Sequence, residues 1–497
     1  MTQWKLLGST AVLAAMAGNA AWAITPEEVW AKWKNLSATN GQTLTTGGEA
    51  REGDALVITD MTLTHTKDGS AMTMTVPEVR LEDVGGGKVE ITLTDSYDLI
   101  VTPETEKPDS TVVVNIAHPG MKTVASGSVE ESVYDFEAPE IAVKVKEVVG
   151  GDENEKFSVA AGVSNAKGSY ILAGDALTSA TTADALTVSV SGEAEEGAEE
   201  PGSFKLDMSA TNIAGQSNAM LKGSAEDMAK AVQEGFATDG TLTFGTSTFT
   251  ADVSDATGNV VIAGGGDSGS FNANVSKDGI GYGSAIRNVS ITASGSHIPF
   301  PELKVSYAEG AFDFLMPIVK SEEPSDFRFV TRLLDLSISD EVWAMFDPAG
   351  QLPRDPASVV IDTAGKARLT TDIFDATVIE QTETMPGELN ALTLKQLLVK
   401  FAGAEVTGTG DLTFDNGDLE TYGGVPAPEG TINLKATGIN GLLDKLTAMG
   451  LVPEEDLMGL RMMMGMFVKM DPSAPDTMTS DLEFKDKHFS VNGMQLQ

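Results

Sequence analysis

Residues of types that could do chemistry are few and scattered in this chain. The histidines are isolated, and none has a partner at the spacing of a metal site; they are His65, His118, His297 and His488. Cysteine is absent, which excludes thiol chemistry and cysteine-based zinc sites. We interpret each histidine as a strand or turn residue, and we expect neither a metal nor another cofactor.

One short segment matches the surroundings of a catalytic serine. Residues 266–269 read Gly-Asp-Ser-Gly, as around the nucleophile of chymotrypsin-like proteases, and His118 lies upstream in the order of that fold. That chemistry needs serine, histidine and a buried carboxylate within hydrogen-bond reach, plus an oxyanion hole. The flanking residues of the protease family are missing. We therefore interpret the segment as a hairpin turn between two strands, and we predict that the protein is not an enzyme.

The most unusual segment is a methionine-rich helix over Leu457–Met470. Its methionines are Met458, Met462, Met463, Met464, Met466 and Met470. Apolar side chains occupy nearly all sides of the predicted helix, so it is either buried or covers something apolar. A buried core helix is the first interpretation. The functional one is a plug or lid over a groove for an acyl chain, with an apolar-ligand site at Leu457, Leu460, Met463, Met464 and Phe467.

The charge of the chain limits its partners. The formal net charge is −40 at pH 7 over 497 residues. The electrostatic field of so negative a protein repels nucleic acid and anionic membrane surfaces. We therefore expect a solvated acidic surface and no nucleic-acid partner.

The first residues have the pattern of a secretory signal peptide. A short basic segment up to Lys5 precedes an apolar stretch, and Ala21-Trp22-Ala23 is a small-x-small cleavage site. We expect cleavage after Ala23 and a periplasmic location. No later segment is apolar for long enough to suggest a membrane helix, so we expect no integral membrane segment after cleavage.

Apolar and polar residues alternate through most of the chain after the first helix, which is predicted to begin at Pro26. Val112, Val114 and Ile116 are one example, and glycine-rich turns separate such segments. This pattern predicts a mainly β (α+β) fold, with one long curved antiparallel sheet or stacked sheets. A few short helices are expected as well. They include one over Ala225–Glu234 and a C-terminal pair over Gly441–Met449 and Glu454–Val468.

The sequence pattern changes near residue 300, where the proline-containing segment Ile298-Pro299-Phe300-Pro301 is expected to be stiff and extended. We therefore predict a signal peptide at 1–23, a β-rich region at 24–300 and an α+β region at 301–497.

Three segments together resemble a known family. They are PEEVWAKW at Pro26–Trp33, SDEVWAMFDPAGQLPRDPA at Ser339–Ala357, and the C-terminal order of strand, AMGLVPEEDL helix and closing hairpin. They are similar to an uncharacterised exported alphaproteobacterial family, domain of unknown function 2125. The C-terminal third also resembles the periplasmic portions of AsmA-like proteins, which implies lipid movement along β-grooves. Neither resemblance supplies catalytic residues.

These observations leave two main functional hypotheses. The first is a periplasmic envelope protein that binds lipid or another apolar ligand in a β-groove. The second is a structural or interaction module that binds another envelope protein and no small ligand. An enzyme of unrecognised type is the third alternative. We expect a monomer in each case.

Overall fold

The computed structural model of the protein is mainly β. It describes residues 24–39, 41–67, 69–103, 111–149, 155–194, 202–222, 228–371 and 387–497. Strands account for 67% and helices for 11% of the described residues. The registered strand pairs are antiparallel, which confirms the predicted fold class. The predicted signal peptide, residues 1–23, lies outside the described residues.

Five helices occur within the described residues. They are α1 (Pro26–Thr39), α2 (Met228–Gln233), α3 (Asp340–Ala344), α4 (Ile439–Ala448) and α5 (Glu454–Phe467). The predicted C-terminal pair is confirmed as α4 and α5. Helix α1 begins with a capping box: the amide of Glu28 donates to Thr25 Oγ1 at 3.3 Å, and the amide of Thr25 donates to Glu28 Oε2 at 2.9 Å. The first residues of the helix predicted from Ala225 lie outside the described residues.

The strands follow one another at short intervals along the whole chain. In order they are β1 (Thr43–Thr45), β2 (Gly48–Glu52), β3 (Ala55–Lys67), β4 (Ser70–Gly85), β5 (Lys88–Leu93), β6 (Ser96–Thr102), β7 (Thr111–Ala117), β8 (Lys122–Gly127), β9 (Glu131–Val149), β10 (Glu155–Ala173), β11 (Ala176–Ala194), β12 (Gly202–Met220), β13 (Ala237–Phe244), β14 (Ser247–Asp255), β15 (Gly258–Gly266), β16 (Ser268–Ser276), β17 (Gly279–Ser294), β18 (Leu303–Met316), β19 (Ser325–Ile338), β20 (Ala357–Leu369), β21 (Gly387–Phe401), β22 (Ala404–Asp415), β23 (Ala427–Thr437), β24 (Lys469–Met470), β25 (Thr477–Lys485), β26 (His488–Val491) and β27 (Met494–Gln495).

The chain divides into two compact units. The first comprises residues up to Leu221 together with Leu242–Val261, and the second comprises Lys222–Thr241 and Ile262–Gln497. The domain boundary expected near residue 300 stays a prediction.

The main core of the first unit lies beneath α1. Val29 and Trp30 are almost completely buried there, against residues of β3, β4 and β5 such as Ile58, Val79 and Ile91. The helical spacing of Val29, Trp30 and Trp33 places these apolar side chains on one side of α1. Because β3 to β5 supply alternate side chains to this core, the strands and the helix stabilise each other at one end of the sheet.

Five neighbouring strands of the first unit form a wide antiparallel region. Strand β9 pairs with β10, β10 with β11, β11 with β12, and β12 with β14. Strands β9 to β12 have 19 residues each, well above the usual length.

Two asparagines interrupt the alternation within these long strands. Asn165 in β10 has φ 49° and Asn212 in β12 has φ 51°, in the left-handed region that asparagine tolerates better than most residues. The Asn165 side chain donates to Asp184 Oδ2 at 2.8 Å. Val163 before the interruption and Ala166 after it pack in the same apolar cluster, although they are three residues apart. The left-handed Asn165 therefore keeps apolar side chains on one face of the sheet, although they stand at odd-numbered positions before it and at even-numbered positions after it.

The second unit contains a longer antiparallel series. Strands β16 to β23 pair consecutively, from β16–β17 to β22–β23. Strand β23 then pairs with β25, and β25 pairs with β26. A small core forms where α3 and α4 meet the sheet: Trp343, Leu352 and Ala402 are buried, and Leu442 and Leu446 pack against them.

The Gly-Asp-Ser-Gly segment is not a hairpin turn, so that interpretation was wrong. Asp267 lies between β15 and β16, and both strands pair with β17. The Asp267 amide donates to the carbonyl of Arg287 at 3.0 Å, and Asp267 Oδ2 accepts from Asn288 Nδ2 at 3.1 Å. Asn288 has φ 51°. The segment is thus an irregularity between two strands that follow each other along β17. There the Asp267 carboxylate accepts a hydrogen bond from Asn288, whose backbone is left-handed.

Candidate functional site

The histidines do not come together into a site. His118 is 5% exposed and packs edge-on against Tyr97, with the ring centroids 5.4 Å apart. His488 lies at the surface, where its Nδ1 is 3.0 Å from Gln495 Nε2. Within the described residues, no group of three or more histidines and carboxylates could hold a metal ion. The four histidines therefore lie in separate strands and turns.

Helix α5 is largely exposed to solvent, so the interpretation of a buried core helix was wrong. Met458 is 74% exposed and Met462 is 72% exposed. Of the predicted ligand residues, Leu457 is buried and Met464 is half-buried, whereas Leu460, Met463 and Phe467 are exposed. The five residues therefore do not line one enclosed site. The sequence showed that the helix is apolar all round, but not that only a narrow side of it is covered.

Polar contacts fix α5 in place despite its exposure. Arg461 Nη2 lies 2.6 Å from Asp444 Oδ1 of α4. At the other end, the carbonyl of Phe467 accepts from Ser480 Oγ at 2.7 Å and from Asn492 Nδ2 at 3.0 Å. An open cleft of about 640 Å³ lies between α4 and α5, lined by residues that include Ala448, Val452 and Leu457. The helix is thus held against α4 and β25 with its apolar outer side free.

A second apolar surface lies on one face of the first unit's sheet. Directly paired residues on adjacent antiparallel strands point to the same face. Their register places apolar or small side chains side by side in four rows across β10, β11, β12 and β14. These rows are Phe157–Gly192–Phe204–Val253, Val159–Val190–Leu206–Ala251, Ala161–Val188–Met208–Phe249, and Val163–Leu186–Ala210. Val143 and Ile141 of β9 extend the third and fourth rows. We call these residues the β10–β14 apolar face.

The β10–β14 apolar face is accessible to solvent. Phe157 is 50% exposed, Val253 56%, Phe204 and Met208 40% each, and Leu186 37%. Large apolar side chains at such positions normally pack under a second layer of structure. Here they remain accessible across neighbouring strands, which makes the face a continuous apolar patch of the kind that marks binding sites.

The opposite face of the same strands is polar and internally paired. Ser189 Oγ donates to Asp207 Oδ1 at 2.8 Å, and Lys205 Nζ lies 2.7 Å from Asp207 Oδ2. Hydrogen bonds from Lys205 and then from Ser189 lower the pKa of Asp207 below its usual range. The two faces therefore differ sharply in character, and only the polar one is suited to water.

The second unit has an aromatic cluster on one sheet face. Phe271, Tyr282, Phe312, Phe314 and Phe329 come from β16, β17, β18 and β19. The ring centroids of Phe271 and Tyr282 are 4.9 Å apart, and those of Phe312 and Phe329 are 5.7 Å apart. Register continues this face through Ile361 of β20 and Leu397 of β21. Phe271 and Phe329 are about two-fifths exposed, so this face too is partly open.

Comparison with known proteins gives one family and no characterised relative. Residues 241–495 match the model of an uncharacterised protein family conserved in bacteria, domain of unknown function 2125. The match covers just over half of the chain. The protein belongs to this family. No match was found among curated proteins or among solved structures.

The domain of unknown function 2125 includes the aromatic cluster, α3, α4 and α5. Of the segments that carried the resemblance, Ser339–Ala357 and the C-terminal helix region lie within the matched residues, whereas Pro26–Trp33 lies before them. Most of the β10–β14 apolar face also precedes the match. The family assignment therefore describes mainly the second unit.

Sequence reasoning found the strands of the β10–β14 apolar face but not the face itself. The alternating sequence places Val188 and Val190 on one side of a strand, and Leu206 and Met208 on one side of another. The register that places these pairs together comes from tertiary pairing, which alternation alone does not specify. The signal that was present is the abundance of large apolar residues on strands without helices to cover them.

Proposed function

We propose that this protein is an exported, periplasmic envelope protein that binds lipid or another apolar ligand along an apolar sheet face. The observation that carries the proposal is the exposure of the β10–β14 apolar face, where Phe157, Phe204, Met208 and Val253 are each 40–56% accessible. The signal-peptide pattern at residues 1–23 supports export. No helix within the described residues is long and apolar enough to cross a bilayer.

The energetics favour an elongated apolar ligand over a compact one. Adjacent strands are spaced about 4.8 Å apart, so the five strands β9, β10, β11, β12 and β14 present a face roughly 19 Å wide. Each methylene removed from water contributes about 0.8 kcal/mol. An acyl chain lying across several rows can therefore bury many methylenes against Val190, Leu206 and their neighbours, enough to offset the cost of ordering the ligand.

The chemistry of the surface supports binding without catalysis. The rows of the apolar face contain no titratable side chain, and their neighbours on the polar face pair with one another. We propose a binding protein rather than an enzyme, acting as a monomer. The sequence resemblance of the C-terminal third to AsmA-like proteins agrees with lipid handling.

The test is native mass spectrometry of the mature protein, purified from periplasm without detergent, followed by lipid extraction of the same sample. We expect a stoichiometric adduct in the mass range of a phospholipid or fatty acid. Leu186→Glu should abolish the adduct, because it places a charge in the apolar face. Thr187→Glu is the matched control: it changes the next residue of β11, whose side chain points to the polar face, and should keep the adduct.

A clean protein mass for the wild type would contradict the ligand proposal. Equal adducts on both variants would show that any ligand binds elsewhere. The exposed outer side of α5 supports a second candidate function, an interaction module that binds another envelope protein. A wild type without adduct would favour that module.

A further inference from the structure

The outer side of α5 is an uncovered apolar surface. Met458, Met462 and Met466 recur every four residues and therefore form one row along the helix. Their exposed fractions are 74%, 72% and 54%. Leu460, Met463 and Phe467 form a second row farther round the helix, at i, i+3 and i+7 spacing, and are 37–50% exposed. We call these six residues the α5 methionine face.

No charged side chain interrupts the α5 methionine face. Arg461, the one charged residue between Leu457 and Phe467, points toward α4 and pairs with Asp444. Contiguous apolar surface of this kind is rare on soluble monomers and marks an interaction site. Methionine side chains are flexible and polarisable, so they adapt to the shape of a partner's apolar side chains.

The acidic residues near the α5 methionine face indicate which kind of partner can bind there. Glu454, Glu455 and Asp456 are exposed and lie in the first turn, and Glu455 precedes Met458 by three residues on the same side of the helix. The whole chain carries a net charge of −40. A second copy of this chain or an anionic bilayer would be repelled, whereas a cationic partner would be attracted.

We propose that the α5 methionine face binds a basic amphipathic helix of a partner protein. The partner's apolar side packs on Met458, Met462 and Met466, and its lysines or arginines lie beside Glu455 and Asp456. The contact is a packing of two helices through their apolar sides, on the exposed side of α5. The proposal does not depend on ligand binding by the β10–β14 apolar face, because different residues carry it.

The first experiment measures binding of a labelled leucine–lysine peptide of about 18 residues, patterned as an amphipathic helix. Fluorescence anisotropy with the mature protein should show saturable binding. A peptide of the same composition with a scrambled pattern should bind at least tenfold more weakly, because it has the charge but no apolar side. Equal binding of both peptides would overturn the proposal, since it would reflect the net charge alone.

The second experiment locates the contact. Met462→Gln/Met466→Gln keeps side-chain length and should weaken binding by about tenfold. Met345→Gln/Met494→Gln is the matched control, because both of its methionines are exposed but lie outside α5. The control should bind as the wild type does. Equal effects of the two double variants would overturn the proposal.

The third experiment tests the acidic end of the surface. Glu455→Gln/Asp456→Asn should weaken peptide binding by about threefold at low salt, and high salt should remove the difference. Glu322→Gln/Glu323→Gln removes the same charge from an exposed loop and should have a smaller effect. Circular dichroism of each variant checks that α5 still forms.

Two further outcomes would identify a different occupant and overturn the proposal. One is flotation of the wild type with neutral phosphatidylcholine vesicles, lost in Met462→Gln/Met466→Gln. The other is a concentration-dependent dimer in sedimentation that the same variant abolishes. If Leu186→Glu still binds the peptide but loses its lipid adduct, the two surfaces act separately.

Discussion

Phe204 lies directly over Gly192 on the neighbouring strand. The two residues are paired in the register of β11 and β12, and a Cβ atom at Gly192 would lie 2.3 Å from a ring carbon of Phe204. The ring of Phe157 approaches from the other side, with its centroid 6.4 Å from that of Phe204. The glycine therefore gives room for an aromatic ring that shields its backbone.

Gly192→Ala should destabilise the protein, because the added methyl group must displace the Phe204 ring. We expect a loss of about 1–3 kcal/mol in the free energy of unfolding, measured by urea denaturation. Gly465→Ala is the contrasting variant: Gly465 lies in α5 with open space around it, so alanine should stabilise α5 by about 0.5–1 kcal/mol. A neutral result for Gly192→Ala would mean that the ring moves freely.

The aromatic cluster of the second unit should depend more on its centre than on its edge. Phe312 contacts Tyr282, Phe314 and Phe329, whereas Phe271 contacts Tyr282 and is 39% exposed. We expect Phe312→Leu to cost about 1–3 kcal/mol and Phe271→Leu less than about 1 kcal/mol. Thermal unfolding monitored by near-ultraviolet circular dichroism measures both. A larger loss for Phe271→Leu would show that the cluster is organised differently.

The left-handed asparagines should tolerate glycine and reject β-branched residues. Asn288 has φ 51° in β17, and its side chain donates to Asp267. Asn288→Gly loses that hydrogen bond but relieves the backbone, so the net change in stability should be small. Asn288→Val must hold a β-branched residue in the left-handed region and should cost about 1–3 kcal/mol more. Chemical denaturation of both variants tests this order, and equal stabilities would contradict it.

Much of the fold follows from the alternation of residues. The strand predicted at Val112–Ile116 is confirmed within β7, and the predicted helical pair is confirmed as α4 and α5. Strand β21, Gly387–Phe401, was not predicted. Its register with β22 shifts between Leu394 and Leu397. The apolar residues of β21 therefore do not alternate regularly with polar ones, which is the pattern that predicts a strand.

The candidate surfaces were less predictable than the strands. Composition showed that α5 is apolar on nearly every side, yet burial depends on which elements pack against it. In the structure α4 and β25 cover only the side of Leu457, and Met462 is left 72% exposed. The β10–β14 apolar face likewise depends on the register between four paired strands. The alternation within each strand does not reveal that register, so it does not reveal the extent of the face.

Asp347 provides a test of stability against pH. It follows α3 and is fully buried, and its two carboxylate oxygens accept from the amides of Gln351 and Leu352, each at 2.9 Å. These backbone hydrogen bonds, that of Gln351 first, lower the pKa of Asp347 from its usual value of 3.8. The carboxylate thus fixes the turn that places Leu352 beside Trp343 in the core of the second unit.

A lowered pKa in the folded state means that the ionised carboxylate stabilises the fold above the unfolded pKa. This contribution is lost as the pH falls through the lower folded pKa. We expect Asp347→Asn to melt several degrees below the wild type at neutral pH, because an amide offers one acceptor oxygen in place of two. The gap in melting temperature should narrow as the pH is lowered below about 4, where the wild type loses its advantage.

The measurement is thermal unfolding of both proteins from neutral pH down to about pH 2.5. Asp355→Asn is the matched control, because Asp355 is exposed in the segment that follows the same turn. It should melt with the wild type at neutral pH. A gap for Asp347→Asn that stays constant across the whole pH range would show that the lost hydrogen bond matters but the charge does not.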